Sequence, residues 1–318
     1  MNYNNIRGFN YQPSYGSSGL ELWRRFDADI IRKEIGRGKK FFPKMNAVRF
    51  WLSSDAFVRE PEMFGRNFET ALAIFAEHGL EVMPVLFNRW HDKALDYGGV
   101  YIDHFTPGNW AYREDLFDAY VREIVGAHRN DPRIFVWDLC NEPCPWGLQN
   151  PEHAAAVKHE YAWLTRASRL CKEAGATAPL TVGVYPTLEQ LQYWEPLSDI
   201  LSFHPYAMAT WSPPDKFEPF LDECVSFAQE KGKPLLATEC CWGSLDDLAR
   251  VEIIKYTLGQ LKKRNIGWLA YLLHHSLIAD AHRPEFGPLS DPGNLAFIEA
   301  DGTLRPGHEI FNDSRVSG

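Results

Sequence analysis

Eight apolar runs punctuate this 318-residue chain, with amphipathic stretches between them, and few folds accommodate that alternation. The runs cover 6–11, 47–52, 81–87, 134–141, 180–185, 200–206, 235–240 and 267–273, and they are rich in β-branched and aromatic residues. Their near-continuous apolar character suits strands buried on both faces, as in a parallel sheet covered by helices. Segments 27–35, 67–78, 113–128, 152–173, 188–194, 217–231 and 245–264 carry helical spacing between them. Two of these end at glycine, in His78-Gly79 and Ala174-Gly175, as helix C-termini often do. The pattern predicts an α/β chain folded as a single (β/α)8 TIM barrel with enlarged βα loops, one domain over 1–318.

The last part reads differently. Residues 274–293 are rich in Pro, His and Asp and are expected to form a long loop after the eighth strand. Asp301-Gly302, between short apolar runs, signals a small C-terminal hairpin, and a short helix near 307–312 would close the barrel.

Bulk properties exclude several classes of function. At 45% hydrophobic and 24% charged residues the chain can bury a large core, and its net charge of −9 argues against a nucleic-acid partner, which needs clustered Lys and Arg. No run of 18 apolar residues is present, so no membrane span is expected. Residues 1–10 hold one Arg and no apolar stretch of signal-peptide length, so the expected location is cytoplasmic. The six cysteines fall mostly in apolar contexts and read as buried, reduced thiols; adjacent Cys240 and Cys241 are expected on opposite faces of a strand. No CxxC or HxxxH spacing supports zinc, and neither metal nor cofactor is expected.

In a parallel barrel the loops after the strands form one face, where side chains at strand C-termini converge. Arg49, Asn88, His91, Asn141, Glu142, His204, Tyr206, Glu239, His274 and His275 stand at such ends. Glu142 and Glu239 are 97 positions apart, which makes room for three units of about 32 residues, the repeat of an eight-fold barrel. Two carboxylates at the ends of strands four and seven would face each other across one pocket, as cleavage of a glycosidic bond requires. Asn141 can hydrogen-bond a sugar hydroxyl, and Tyr206, next to strand seven, can reach Glu239. Arg49 lies between Val48 and Phe50, an unlikely place for a guanidinium without a carboxylate, and Glu239 is a possible partner.

Tryptophan placement points the same way. Trp51, Trp90, Trp110, Trp146, Trp211 and Trp242, six of the eleven, fall at strand C-ends or in the following loops. Sugar rings have apolar faces that stack on aromatics, so the partner these positions suit is a carbohydrate.

These residues resemble glycoside hydrolase clan A, the retaining (β/α)8 glycosidases, and are most similar to family 5, the cellulase and mannanase group. The resemblance rests on Asn141-Glu142-Pro143 after a Trp-Asp-Leu strand, His204-Pro205-Tyr206, Glu239 and Arg49. It implies Glu142 as acid/base, Glu239 as nucleophile, Asn141 on the substrate 2-hydroxyl, Arg49 and Tyr206 as supports of Glu239, and His204 lining the site. The activity it implies is double-displacement cleavage of a β-linked oligosaccharide or polysaccharide. Two departures stand out. The family's strand-three His is replaced by Phe87-Asn88-Arg89-Trp90-His91, and its strand-eight Trp by His274-His275, with Trp268 early in that strand. The alternatives are a non-catalytic carbohydrate-binding barrel, and a metal-dependent barrel enzyme using His91, His204, His274, His275 and Asp280.

Overall fold

The computed structural model describes residues 2–89, 99–207, 212–278 and 295–313. Eight strands close in chain order into a barrel: β1 (Arg7–Tyr11), β2 (Ala47–Trp51), β3 (Glu81–Asn88), β4 (Trp137–Asn141), β5 (Leu180–Val184), β6 (Leu201–Phe203), β7 (Leu235–Ala237) and β8 (Gly267–Ala270). Each neighbouring pair runs parallel, and β8 returns to β1 with Arg7 opposite Trp268 and Phe9 opposite Ala270. The (β/α)8 expectation is met.

Helices follow the first seven strands. α1 (Gly19–Arg24) and α2 (Ala28–Phe41) follow β1, and α3 (Ser54–Arg59) and α4 (Pro61–Glu77) follow β2. α5 (Ile102–Phe105) and α6 (Glu114–Ala127) come after β3, then α7 (Ala154–Glu173), α8 (Leu188–Trp194), α9 (Pro214–Lys231) and α10 (Asp247–Lys263) after β4 to β7 in turn. Their ends follow local chemistry. Asp27 caps α2 by accepting from the Asp29 and Ile30 amides, Asp246 caps α10 through the Ala249 amide at 2.8 Å, and Gly232 ends α9 at φ +64°. The short α1, α3 and α5 lie inside the enlarged loops, where the sequence pattern showed no separate period.

Several strands are shorter than their apolar runs. The expected strands 200–206, 235–240 and 267–273 narrow to Leu201–Phe203, Leu235–Ala237 and Gly267–Ala270. The residues beyond stay buried except for half-buried Tyr271, but their backbone leaves the ladder to build the rim. This corrects the reading of the cysteine pair: Cys241 turns to φ +72° instead of continuing a strand, and its thiol lies 3.7 Å from that of Cys240. All six cysteines are buried and free.

The barrel interior has two layers. Ile6, Ala47, Met83, Val136, Ile200, Leu236 and Leu269 form an apolar plug toward the strand N-termini. Above it, Asn10 of β1, Arg49 of β2 and Asp138 of β4 are fully buried, with Arg49 hydrogen-bonded to both of the others across the axis. Outside the sheet an aromatic layer seats the helices, with Trp23 4.4 Å from Phe64 and Phe87 4.8 Å from Trp163 between ring centroids. The C-terminal segment pairs Ile298 with Leu304 in antiparallel fashion around Gly302 at φ +86°, giving the expected hairpin turn. A 3-10 helix, His308–Asn312, then sets Phe311 against Phe9 at 4.3 Å. Among the described residues no helix is long and apolar enough to cross a membrane.

Candidate active site

The polar layer opens at the strand C-termini onto Glu142 and Glu239, each about 6% exposed. Glu142 follows β4 directly. Its φ of +47° is uncommon for a residue with a side chain, and its amide is fixed to the Gly183 carbonyl at 2.8 Å. The backbone is thereby turned at the acid, immediately before Pro143. Glu239 lies two residues past β7, after Thr238, whose amide bonds the Phe203 carbonyl of β6 at 3.0 Å.

The two carboxylates have different surroundings. Glu239 Oε1 accepts from Arg49 Nη1 at 2.5 Å and its Oε2 from the Tyr206 hydroxyl at 2.7 Å. Glu142 Oε1 lies 2.7 Å from His204 Nδ1, and Glu142 is also hydrogen-bonded by Tyr185. Burial pushes the Glu142 carboxyl up to about 7, against the opposing pull of the Arg49 charge and the Tyr185 hydroxyl. Burial lowers His204 to about 4, so the ring is neutral near pH 7. One proton is shared between His204 Nδ1 and Glu142 Oε1 across this short contact. His204 Nδ1 also lies 3.7 Å from Glu239 Oε2, and a donor atom from each of Glu142, His204 and Glu239 falls within 4.8 Å of the others.

Arg49 organises the layer beneath. Besides Glu239 it donates to Asp138 Oδ2 through Nε at 3.0 Å and Nη2 at 2.7 Å, to Asn10 Oδ1 at 3.1 Å and to Asn141 Oδ1 at 2.8 Å. Burial alone would lower the guanidinium's affinity for its proton, but Asp138 and Glu239 together raise it, so the cation is permanent. Five fixed N–H donors thus orient two carboxylates and two amides at once. Asn141 in turn donates to Asn88 Oδ1, at the end of β3, at 2.9 Å. Gly183 of β5 leaves the room this cluster needs. A Cβ there would sit 2.9 Å from Arg49 Nη2, 2.9 Å from Asp138 Oδ2 and 3.0 Å from His204 Nε2.

Arg49, Asn141, Glu142, His204, Tyr206 and Glu239 are thus brought together. Trp51 joins them, its ring 4.6 Å from the Arg49 guanidinium, and Trp242 packs edge-on to Tyr206 at 5.1 Å. Trp146 stacks instead on Arg89 at 5.1 Å, whose guanidinium is paired with buried Glu160 at 2.6 Å. Trp110, in the loop between α5 and α6, is 94% exposed. Trp90, His91, Trp211 and Asp280 lie outside the described residues.

His274 is a correction. It does not line the pocket: its Nε2 lies 3.2 Å from Arg37 of α2, its Nδ1 3.1 Å from the His275 carbonyl and 3.7 Å from Glu34 Oε1. The β8 ladder stops at Ala270, and Tyr271, edge-on to Trp51 at 6.1 Å, occupies the strand end expected of the histidine pair. Four participants escaped the sequence reading. Asp138 carried the signal that marked Arg49, a charge inside an apolar run. Tyr185 ends the fifth run as Tyr206 ends the sixth. Gly183 and Tyr271 carried no such signal.

The metal-dependent arrangement is not assembled among the described residues. His204 could join Glu142 and Glu239 in holding a cation, but Arg49 already places a positive charge on Glu239, and His274 faces α2. A second set, Glu69, His128 and Asp131, lies elsewhere in the molecule and is bridged by Arg133, at 2.7 Å from Glu69 and 2.6 Å from Asp131. Chemically, the pocket offers one carboxyl near half-protonation at neutral pH beside one carboxylate held by a cation and a phenol.

Comparison with known proteins places these features in a family. The family model for cellulase (glycosyl hydrolase family 5) matches residues 42–276. A mannan endo-1,4-beta-mannosidase F of Aspergillus clavatus is 28% identical over 114 residues, 34% of this chain and 24% of that protein. A mannan endo-1,4-beta-mannosidase A of Podospora anserina is 25% identical over 252 residues, 70% of this chain and 61% of that one. The chain therefore spans less than two thirds of these curated relatives. An exo-beta-1,4-mannosidase structure from Opitutaceae bacterium strain TAV5 superposes with a TM-score of 0.70 at 19% identity, over 96% of this chain and 57% of the other, a likeness of fold.

Proposed function

Since the chain belongs to glycosyl hydrolase family 5, we propose that it is a retaining glycosidase that cleaves a β-linked mannose-containing oligosaccharide or polysaccharide by double displacement. One observation carries the reading: two buried carboxyl groups face each other with oxygen atoms within 4.8 Å, and their partners divide acid from nucleophile. Retaining enzymes hold the two carboxyl groups about 5–5.5 Å apart, whereas inverting ones leave about 6.5–9.5 Å for a water between them. The narrow spacing supports direct attack.

In the first step protonated Glu142 delivers its proton to the glycosidic oxygen while Glu239 attacks the anomeric carbon, releasing the leaving sugar and forming a glycosyl ester. Arg49 and Tyr206 hold Glu239 aimed at that carbon as the ester forms. Glu142, now a carboxylate beside Tyr185 and neutral His204, removes a proton from water as that water attacks the anomeric carbon, whose bond to Glu239 breaks and frees Glu239 as a carboxylate. The two inversions give net retention. Asn141, anchored by Arg49 and Asn88, presents its amide to the 2-hydroxyl. Trp51, Trp242 and Tyr271 supply aromatic walls around the sugar.

The mannoside assignment draws on the relatives named above, whose names cover both endo and exo cleavage of β-1,4-mannosides. It is tested by a panel of aryl β-glycosides and β-1,4-linked manno- and gluco-oligosaccharides, with the first-formed product anomer followed by NMR. The proposal expects β product first. Initial α product would refute retention, and inertness across the panel would favour a binding-only barrel.

A further inference from the structure

Arg250 is fully buried in the first turns of α10 and, among the described residues, pairs with no carboxylate. Its guanidinium instead binds four backbone carbonyls from three separate segments. Nη1 donates to Cys241 and Trp242, just past Glu239, and Nη2 donates to Tyr271 at 2.9 Å and to Leu295 at 2.9 Å. The Phe297 ring covers it at 5.2 Å. β7 and β8 leave the ladder after three and four residues, so the carbonyls beyond them need donors from elsewhere. A planar fork of five donors can serve all four carbonyls; an ammonium with three donors or an amide with two cannot. Burial lowers the group only to about 10, which leaves it charged at neutral pH.

Both oxygens of Glu239 connect back to those segments. The Trp242 ring abuts Tyr206 at 5.1 Å, and the Tyr206 hydroxyl holds Oε2 at 2.7 Å. The Tyr271 ring abuts Trp51 at 6.1 Å, Trp51 lies 4.6 Å from the Arg49 guanidinium, and Arg49 holds Oε1 at 2.5 Å. We propose that Arg250 is a positioning residue: by fixing the Trp242 and Tyr271 segments from behind, it sets the orientation of Glu239 and the spacing of the aromatic walls without touching substrate. The proposal rests on Glu239 being the nucleophile.

The test uses Arg250→Gln and Arg250→Lys in the full chain, with kcat and KM per folded molecule on an aryl β-mannoside and a crystal structure of the Gln variant. Misplacement of a reacting group by about 1 Å costs about 10²-fold in rate. Arg250→Gln is therefore expected to lower kcat by about that factor with KM changed little, and to move Tyr206 out of hydrogen-bond reach of Glu239. Arg250→Lys should recover part of the loss, since it keeps the charge but reaches fewer carbonyls. A folded Gln variant with parental kcat, or with the Tyr206 to Glu239 bond still at 2.7 Å, overturns the proposal. So does failure of both variants to fold, which would make Arg250 a residue of stability alone. An inert parent enzyme would refute the glycosidase reading, and the crystallographic distance would still decide this one.

Discussion

Replacing Glu142 by Gln should abolish turnover and at the same time stabilise the fold at alkaline pH. The carboxyl sits buried, and its proton affinity is raised from 4.5 to about 7, with burial as the main cause. A carboxyl that binds its proton more tightly when folded favours folding in acid, and that advantage disappears as pH rises from the unfolded to the folded value. At about 1.4 kcal/mol per pH unit, the gap between 4.5 and about 7 amounts to about 3 kcal/mol of strain, fully developed above pH 7. Solvent does little to screen it, because the residue is about 6% exposed. Glutamine has nearly the same shape and never ionises. In urea unfolding, Glu142→Gln and parent should be nearly equal at pH 4.5, diverge through pH 5–7, and differ by about 3 kcal/mol in favour of the variant at pH 8. A variant no more stable than the parent at pH 8, or a difference independent of pH, would show that Glu142 is not held protonated by its surroundings and would remove the basis for its role as acid.

Further outcomes follow from the same geometry. The parent's kcat/KM should fall above about pH 7 as free Glu142 ionises, a limb read from initial rates between pH 5 and 9. Tyr206→Phe removes the donor on Glu239 Oε2, and at about 1.5–3 kcal/mol for a hydrogen bond to a charge should lower kcat about 10- to 100-fold in steady-state assays. Gly183→Ala places a Cβ 2.9 Å from Arg49 Nη2 and Asp138 Oδ2; overpacking of this kind costs about 1–3 kcal/mol, seen as a lowered thermal midpoint together with lost activity.

The parts of the molecule readable from sequence are those whose cause is local. The strand and helix periods gave the barrel because burial on two faces writes itself into each run. Glu142, Glu239, Asn141, His204 and Tyr206 could be found because each follows an apolar run at the end where barrel side chains converge. Arg49 was conspicuous as a charge between Val48 and Phe50, and Asp138, between Trp137 and Leu139, carries the same mark; its two bonds to Arg49 show that the layer is a network rather than a single pair. The misses have long-range causes. His274 turns to α2 because β8 ends at Ala270 and the chain beyond pairs with Ile298, and its partner Arg37 is 237 positions away. Cys240 and Cys241 looked like strand residues because they are buried and apolar, yet burial persists past the ladder where the backbone turns under Arg250. Tyr271 became part of the pocket by the same departure.

The claim that Glu239 is the nucleophile is tested most directly by trapping the ester. A 2-deoxy-2-fluoro-β-mannosyl fluoride slows both steps and departs through a good leaving group, so the intermediate should accumulate; intact mass would rise by one fluoromannosyl unit, and peptide mapping would place it on Glu239. No adduct despite turnover of the parent substrate, or an adduct on Glu142 or any other residue, would contradict the account.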